Sequence, residues 1–181
     1  MYLPASEPLV RTALREVFTS LRPLLVATVG EEGMLHELSS LVADPGAPRQ
    51  CVHADTIDQS MEPMYTFFVA LQDVTFEMGH TVFLPRTHTP AAHLMWNVQQ
   101  SQKERFLTSL PATSSGLKKG DVAIFDSRVL HCGSANTSDK RRVLFYLTLS
   151  RQQRWPLPGG QHGSNSVRVE DRYMHQVKDF L

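Results

Sequence analysis

Cysteine is scarce in this chain, with only Cys51 and Cys132 in 181 residues. One pair cannot build the disulfide framework that props up small secreted domains, so a reducing cytoplasm is the default compartment. Neither sign of charge is in excess: Lys+Arg and Asp+Glu each number 18. That balance leaves no electrostatic footprint for nucleic acid or an anionic membrane surface. Long apolar runs are missing too. "PLLVATV" (23–29) and "FFVAL" (67–71) fall far short of the roughly 20 residues that span a bilayer. The start, "MYLPASEP", lacks the basic and apolar regions of a secretory signal, and "KDFL" at the end is no retention or peroxisomal address. What remains, 41% hydrophobic and 20% charged, suits one well-buried soluble globular domain. The oligomeric state stays open.

The pattern along the chain changes once. Residues 7 to 21 place Leu9, Val10, Ala13, Leu14, Val17, Phe18 and Leu21 at three- and four-residue steps, which predicts a helix. Ser6 is a candidate cap, Pro8 suits the first turn, and Pro23 is expected to forbid continuation. From about residue 35 the apolar runs shorten. "ELSSLVA" (37–43), "QCVHA" (50–54), "YTFFVALQDV" (65–74), "TVFLP" (81–85), "DVAIF" (121–125) and "RVLFYLTLS" (142–150) read as strands, rich in Val, Phe, Thr, Leu and Tyr and bounded by turn residues. Many short strands imply a sandwich, jelly roll or barrel. One helix is expected over 90–110, outside the sheets. Residues 156–166 read as a loop, and a short helix is expected over "EDRYMHQVKDFL". The division is then an N-terminal helical segment (1–34), a core (35–150) and a C-terminal extension (151–181), all within one domain.

Within "RQCVHADTIDQS" (49–60), His53 and Asp55 are separated by one residue. Residues two apart on a strand share a face, so an imidazole and a carboxylate there can take neighbouring positions on one metal. They can equally be polar residues where a strand runs out, and so short a triplet has a real false-positive rate. His131 is the candidate third ligand. Together the three would make the two-histidine, one-carboxylate face that suits non-haem Fe(II) and leaves positions open. Arg142 opens the last strong strand. A fixed guanidinium there can hold the far carboxylate of a dicarboxylate through paired charge-assisted hydrogen bonds, or else make a surface salt bridge. A metal plus such an arginine is what 2-oxoglutarate chemistry requires. A metal hydrolase built on the same three residues would leave Arg142 without a purpose.

The ordered set "CVHADT", "FVALQDVTFEMGHTVFLPRTH" and "GLKKGDVAIFDSRVLHCGSANTSDKRRVLFYLT" resembles the phytanoyl-CoA dioxygenase (PhyH-like) family of Fe(II)/2-oxoglutarate oxygenases, over roughly residues 37 to 150. The resemblance implies a mainly β fold, a double-stranded β-helix (jelly roll, cupin-like) with flanking helices. It implies His53, Asp55 and His131 as iron ligands, Arg142 as the anchor for 2-oxoglutarate, and Thr81 as a further co-substrate contact. Arg141 is expected to point the other way. Fe(II), 2-oxoglutarate and O2 would be the reactants at the metal. The outcome would be oxidation, most simply hydroxylation, of a small organic or lipid-like substrate. Asp55 argues against a halogenase, in which that carboxylate is absent.

Several positions depart from the family pattern. The usual Pro-Gly-Ser/Thr-His appears as "PRTH", so Arg86 replaces a turn glycine and is strained if the turn keeps a positive φ. His80 stands where a small residue or proline is common, and Gly133 where some members carry serine. Only 52 residues precede His53, fewer than family members usually carry, which bears on the substrate pocket. A catalytically degenerate metal-binding jelly roll is the alternative these departures favour. The remaining histidines, His36, His80, His88, His93, His162 and His175, read as packing or surface residues. Phe67, Phe68, Trp96 and Phe145 read as core, with one or two facing the pocket, and Cys51 as a small buried hydrophobe.

Overall fold

The computed structural model describes residues 3–57, 62–151 and 175–181. In chain order it contains α1 (Pro8–Thr28), β1 (Met34–Ala43), β2 (Met64–Ala70), β3 (Thr81–Phe83), α2 (Pro90–Trp96), α3 (Gln100–Ser109), β4 (Thr113–Ser115), β5 (Val122–Asp126), β6 (His131–Gly133) and β7 (Arg142–Ser150). The strands form two antiparallel sheets, one ordered β1-β7-β2-β5 and the other β4-β3-β6. The chain is mainly β with helices on its flanks. Among the described residues no helix is long and apolar enough to cross a membrane.

Central β7 is buried on both faces, which is why its sequence is almost continuously apolar. Phe145, Leu147 and Leu149 turn to one side with Leu35, Leu38, Phe67 and Val69, and α1 covers them with Leu14, Phe18 and Leu25. Leu144 and Tyr146 turn to the other side, joining Phe68, Ala70 and Phe125 of the same sheet and Phe83 of the second sheet. Phe125 packs at a centroid distance of 5.1 Å from Phe68 and 4.9 Å from Phe83, so the two sheets share this interior. The functional candidates face it.

Pro23 does not end α1, which continues to Thr28. An interior proline costs about 3 kcal/mol, but burying an aliphatic side chain stabilises by roughly 1.5–3 kcal/mol. Leu25 and Val29, beyond the proline, are only 0% and 2% exposed, so tertiary burial outweighs the local rule. Ser6 is not the cap either. Glu7 holds that position without a side-chain cap bond, and Pro8 fills the first turn.

Three further elements differ from expectation. Residues 50–54 do not form a strand; His53 alone makes a bridge, to His131, before the chain bends at Asp55. The helix expected over 90–110 is two, because α2 closes at Asn97 and α3 restarts after Gln99. Together they pack outside the second sheet, where Trp96, Phe106 and Leu107 cover Ala54, Leu84 and Leu130. The loop over 156–166 and the start of the last expected helix lie outside the described residues. From residue 175 onward there is a bridge from Gln176 to Met34 and one 3-10 turn, Val177–Asp179, rather than a helix. Phe180 then docks edge-on against Phe18 at 5.4 Å.

Candidate metal centre

His53 and His131 are fastened to each other through their backbones. His53 N–H donates to the His131 carbonyl at 2.9 Å, and His131 N–H returns the bond at 2.8 Å. Their imidazole centroids lie 4.5 Å apart. Ala54 and Leu130, each adjacent to a histidine, are buried in the apolar cluster under α2 and α3. Anchoring those residues backwards sends His53, Asp55 and His131 forwards into the shared interior. Asp55 Oδ1 stands 3.5 Å from His131 Nε2 and 3.9 Å from His53 Nε2. One ligand atom from each of the three lies within 4.8 Å of the others, a grouping that could hold a metal ion.

The protons on these rings are fixed by their partners. His53 Nδ1 is 2.9 Å from the Cys51 carbonyl, and His131 Nδ1 is 2.9 Å from the Val129 carbonyl. A carbonyl only accepts, so each Nδ1 carries a proton and each Nε2 is the ring nitrogen facing Asp55. Burial pushes the His131 imidazole below its ordinary value, with Asp55 opposing, which keeps the ring neutral. Two ring Nε2 atoms and a carboxylate oxygen therefore converge on one point. Nitrogen and oxygen donors with hydrogen-bonded far sides are the donor set of a bound first-row metal.

The second oxygen of Asp55 is held from the opposite side. Thr66 Oγ1 donates to Oδ2 at 3.1 Å, and the Tyr146 hydroxyl donates to the same oxygen at 3.4 Å. Ser127 Oγ lies 2.8 Å behind Thr66 Oγ1. Burial first, then the charges of Asp55 and Glu37, push the Tyr146 phenol well above its ordinary value, so it keeps its proton. Phe125, Phe83 and Phe68 surround the His131 ring at 4.9, 6.1 and 6.5 Å.

Arg142 lies on the same face of β7 as Leu144 and Tyr146, and is 3% exposed. One terminal nitrogen donates to the Gly79 carbonyl, while Nε is buried without a hydrogen-bond partner. Burial pushes the guanidinium below its ordinary value. Among the described residues no carboxylate pairs with it, so it is a buried cation without an anionic partner there. Arg141, its neighbour, points outward to Asp44. Thr81 is buried at the head of β3, two residues after Gly79, and pairs with Gly133 on β6. Gly133 in turn is two residues past His131, so the backbone links Arg142, Thr81, Gly133 and the histidine in one line.

Residues 5–144 match the phytanoyl-CoA dioxygenase (PhyH) family. The chain belongs to this family. The dioxygenase easH of Epichloe festucae var. lolii is 28% identical over 102 residues, covering 52% of this chain and 50% of that protein. Among solved structures, the non-haem alpha-ketoglutarate-dependent carbocyclase SnoK from nogalamycin biosynthesis superposes with a TM-score of 0.65 at 21% identity, covering 86% of this chain and 64% of its own. The alpha-ketoglutarate-dependent epimerase SnoN from the same biosynthesis gives 0.63 at 21%, covering 91% and 67%. AviO1 from Streptomyces viridochromogenes Tue57 gives 0.61 at 18%, covering 76% and 60%. The chain thus spans about half the length of the curated relative and about two thirds or less of these structures.

Where this phytanoyl-CoA dioxygenase family member departs from the family pattern, the structure gives physical reasons. Arg86 does adopt a positive φ, 67°, so the turn keeps its shape at the expense of strain in an exposed residue. His80 is tied at both nitrogens, to the Phe76 carbonyl at 2.7 Å and the Ser134 hydroxyl at 3.3 Å. At Gly133 a side chain is displaced by Gln50, whose Oε1 accepts the Gly133 N–H at 2.7 Å and sits 2.9 Å from where a Cβ would stand. Cys51 is exposed rather than buried, a consequence of residues 50–54 leaving regular strand geometry. His36 and His93 are buried packing residues, bonded to Ser150 and to the Arg128 carbonyl, and His88 is exposed. His162 lies outside the described residues. Phe67 and Phe145 are core and Trp96 is half-buried, while Phe68 faces the site. Sequence reasoning missed Thr66, Tyr146, Ser127 and Gln50. The signal for Thr66 was available, as the one aliphatic hydroxyl inside the largely apolar run "YTFFVA".

Proposed function

We propose that this chain is a non-haem Fe(II)- and 2-oxoglutarate-dependent dioxygenase acting on a small organic or lipid-like substrate. The two sheets form a double-stranded β-helix, or jelly roll, and residues 1–181 make one oxygenase domain. His53, Asp55 and His131 hold the metal, and Arg142 and Thr81 bind the co-substrate. When bound, Fe(II) with 2-oxoglutarate and O2 supplies the oxidising power, with decarboxylation to succinate and CO2. The protein's own residues do the rest. The Nδ1-protonated histidines direct both Nε2 atoms at one point, Arg142 neutralises and fixes the distal carboxylate, and Phe68, Phe83 and Phe125 set apolar surface around the His131 ring. The observation that carries this proposal is the convergence of two imidazole nitrogens and one carboxylate oxygen on the interior that Tyr146 and the buried Arg142 of the same β7 face also meet.

The family's dioxygenase name and the alpha-ketoglutarate dependence of SnoK and SnoN support it. The test is anaerobic addition of Fe(II) and 2-oxoglutarate, followed by optical spectroscopy. A weak visible charge-transfer band of the chelate is expected. Stoichiometric iron binding without that band would instead favour a metal-binding jelly roll that has lost its oxygenase chemistry. A screen for succinate release across substrate classes then addresses the substrate.

A further inference from the structure

We infer that Thr66 and Tyr146 are positioning residues that hold Asp55 monodentate, so that Oδ1 alone faces the metal and Oδ2 is kept off it. This rests on the metal-site proposal above and deepens it. A carboxylate beside a cation has two modes. It can present one oxygen, or rotate and present both, and the second mode consumes a coordination position that an oxygenase must keep open.

Asp55 is not symmetric in its surroundings. Oδ1 faces the two histidine nitrogens at 3.5 and 3.9 Å. Oδ2 receives two hydroxyl donors, at 3.1 Å from Thr66 and 3.4 Å from Tyr146. A carboxylate only accepts, so the single Thr66 proton is committed to Asp55 and Ser127 must supply the bond behind it. Thr66 and Ser127 are both 0% exposed, so the Thr66 donor is shielded from solvent. Neither donor belongs to a loop. Thr66 lies on β2 and Tyr146 on β7, adjacent strands paired in register, so two rigid elements approach the carboxylate from one side. Turning Asp55 to bring Oδ2 onto the metal would break both bonds. Hydrogen bonds to charged groups contribute more than neutral ones, and partners of metal ligands typically alter metal affinity 10- to 100-fold when removed.

The test uses the full chain freed of metal, with Mn(II) and Co(II) as probes. Thr66→Val and Tyr146→Phe preserve shape while deleting one donor each. Each is expected to weaken Mn(II) binding about tenfold. Each should also lower the visible absorption of the Co(II) protein per ion, because a second carboxylate oxygen raises the coordination number. Thr66→Ser should restore both properties, and Ser127→Ala should produce a smaller loss. Circular dichroism identifies any variant that fails to fold, and in that case the Thr66→Ser and Ser127→Ala pair decides. Folded variants with wild-type Mn(II) affinity and an unchanged Co(II) spectrum would overturn the clamp alone. Should the wild type bind neither ion, or bind them equally well as His53→Ala, the metal site itself fails and the clamp with it.

Discussion

His131 Nε2 and Asp55 Oδ1 stand 3.5 Å apart with no proton to share. The ring's proton is on Nδ1, bound to the Val129 carbonyl, and burial keeps a second proton from joining it. Without a cation, the lone pair and the carboxylate repel. With one, they become neighbouring ligands. The backbone bonds between His53 and His131 hold the second imidazole at the same place, so the arrangement is built before anything binds.

The co-substrate anchor is testable apart from the metal. Arg142→Ala should raise the 2-oxoglutarate requirement by at least tenfold to a hundredfold, since each charge-assisted hydrogen bond contributes about 1.5–3 kcal/mol. Iron content should remain near normal. Thermal unfolding gives a second reading: 2-oxoglutarate should raise the melting temperature of the wild type and not of Arg142→Ala. Arg142→Lys should not rescue, because an ammonium cannot reproduce the two-pronged geometry of a guanidinium. Unchanged co-substrate dependence in Arg142→Ala would remove its assigned role.

Stability of the metal-free protein should fall on mild acidification, and His131 sets the direction. Its folded-state value is depressed below the usual 6.5, chiefly by burial. Above that ordinary value both folded and unfolded forms are neutral, and the residue contributes no pH dependence. Below it the unfolded chain takes up a proton that the folded chain resists, so stability declines until the pH reaches the lowered folded value. Denaturant titrations in chelator at a series of pH values below 6.5 check this. His131→Gln should flatten that limb of the profile; an unaltered profile would show that another group controls it.

The sequence made some of this plain and hid the rest for definable reasons. The bounds of β7 could be read as Arg142–Ser150 because a strand buried on both faces leaves an unbroken apolar record. His53, Asp55 and His131 could be named together because their residue types are few and their chemistry specific, and the fold brings them within reach of one another. Thr66 and Tyr146 could not be assigned to Asp55. Their meeting depends on β2 pairing with β7 in one register, and nothing local to either residue fixes that pairing. Pro23 misled in the opposite direction, since a true local preference lost to burial of the turn that follows it.

That turn makes Pro23 a site where stability can be gained. Pro23 is exposed within α1, so replacing it with alanine restores a backbone donor without disturbing the core. An interior proline costs about 3 kcal/mol, offset by the roughly 0.4–1 kcal/mol that proline gains through a stiffer unfolded chain. Pro23→Ala should therefore stabilise by about 2 kcal/mol, raising the melting temperature by roughly 4–8 °C. Metal and co-substrate binding should not change. A lower melting temperature would mean that the local geometry set by Pro23 is needed to seat Leu25 and Val29.

Arg86 offers a smaller gain nearer the site. Its φ of 67° is left-handed, and among the described residues it is the only one other than glycine in that region. A side chain in that conformation costs on the order of 1 kcal/mol relative to glycine, and Arg86 is exposed, with little packing to lose. Arg86→Gly should stabilise by about 1 kcal/mol, whereas Arg86→Val should destabilise, because a branched Cβ fits that region worst. Urea unfolding of the three proteins orders them. Should Arg86→Gly prove less stable while 2-oxoglutarate affinity falls, the arginine would be a functional feature rather than a tolerated strain.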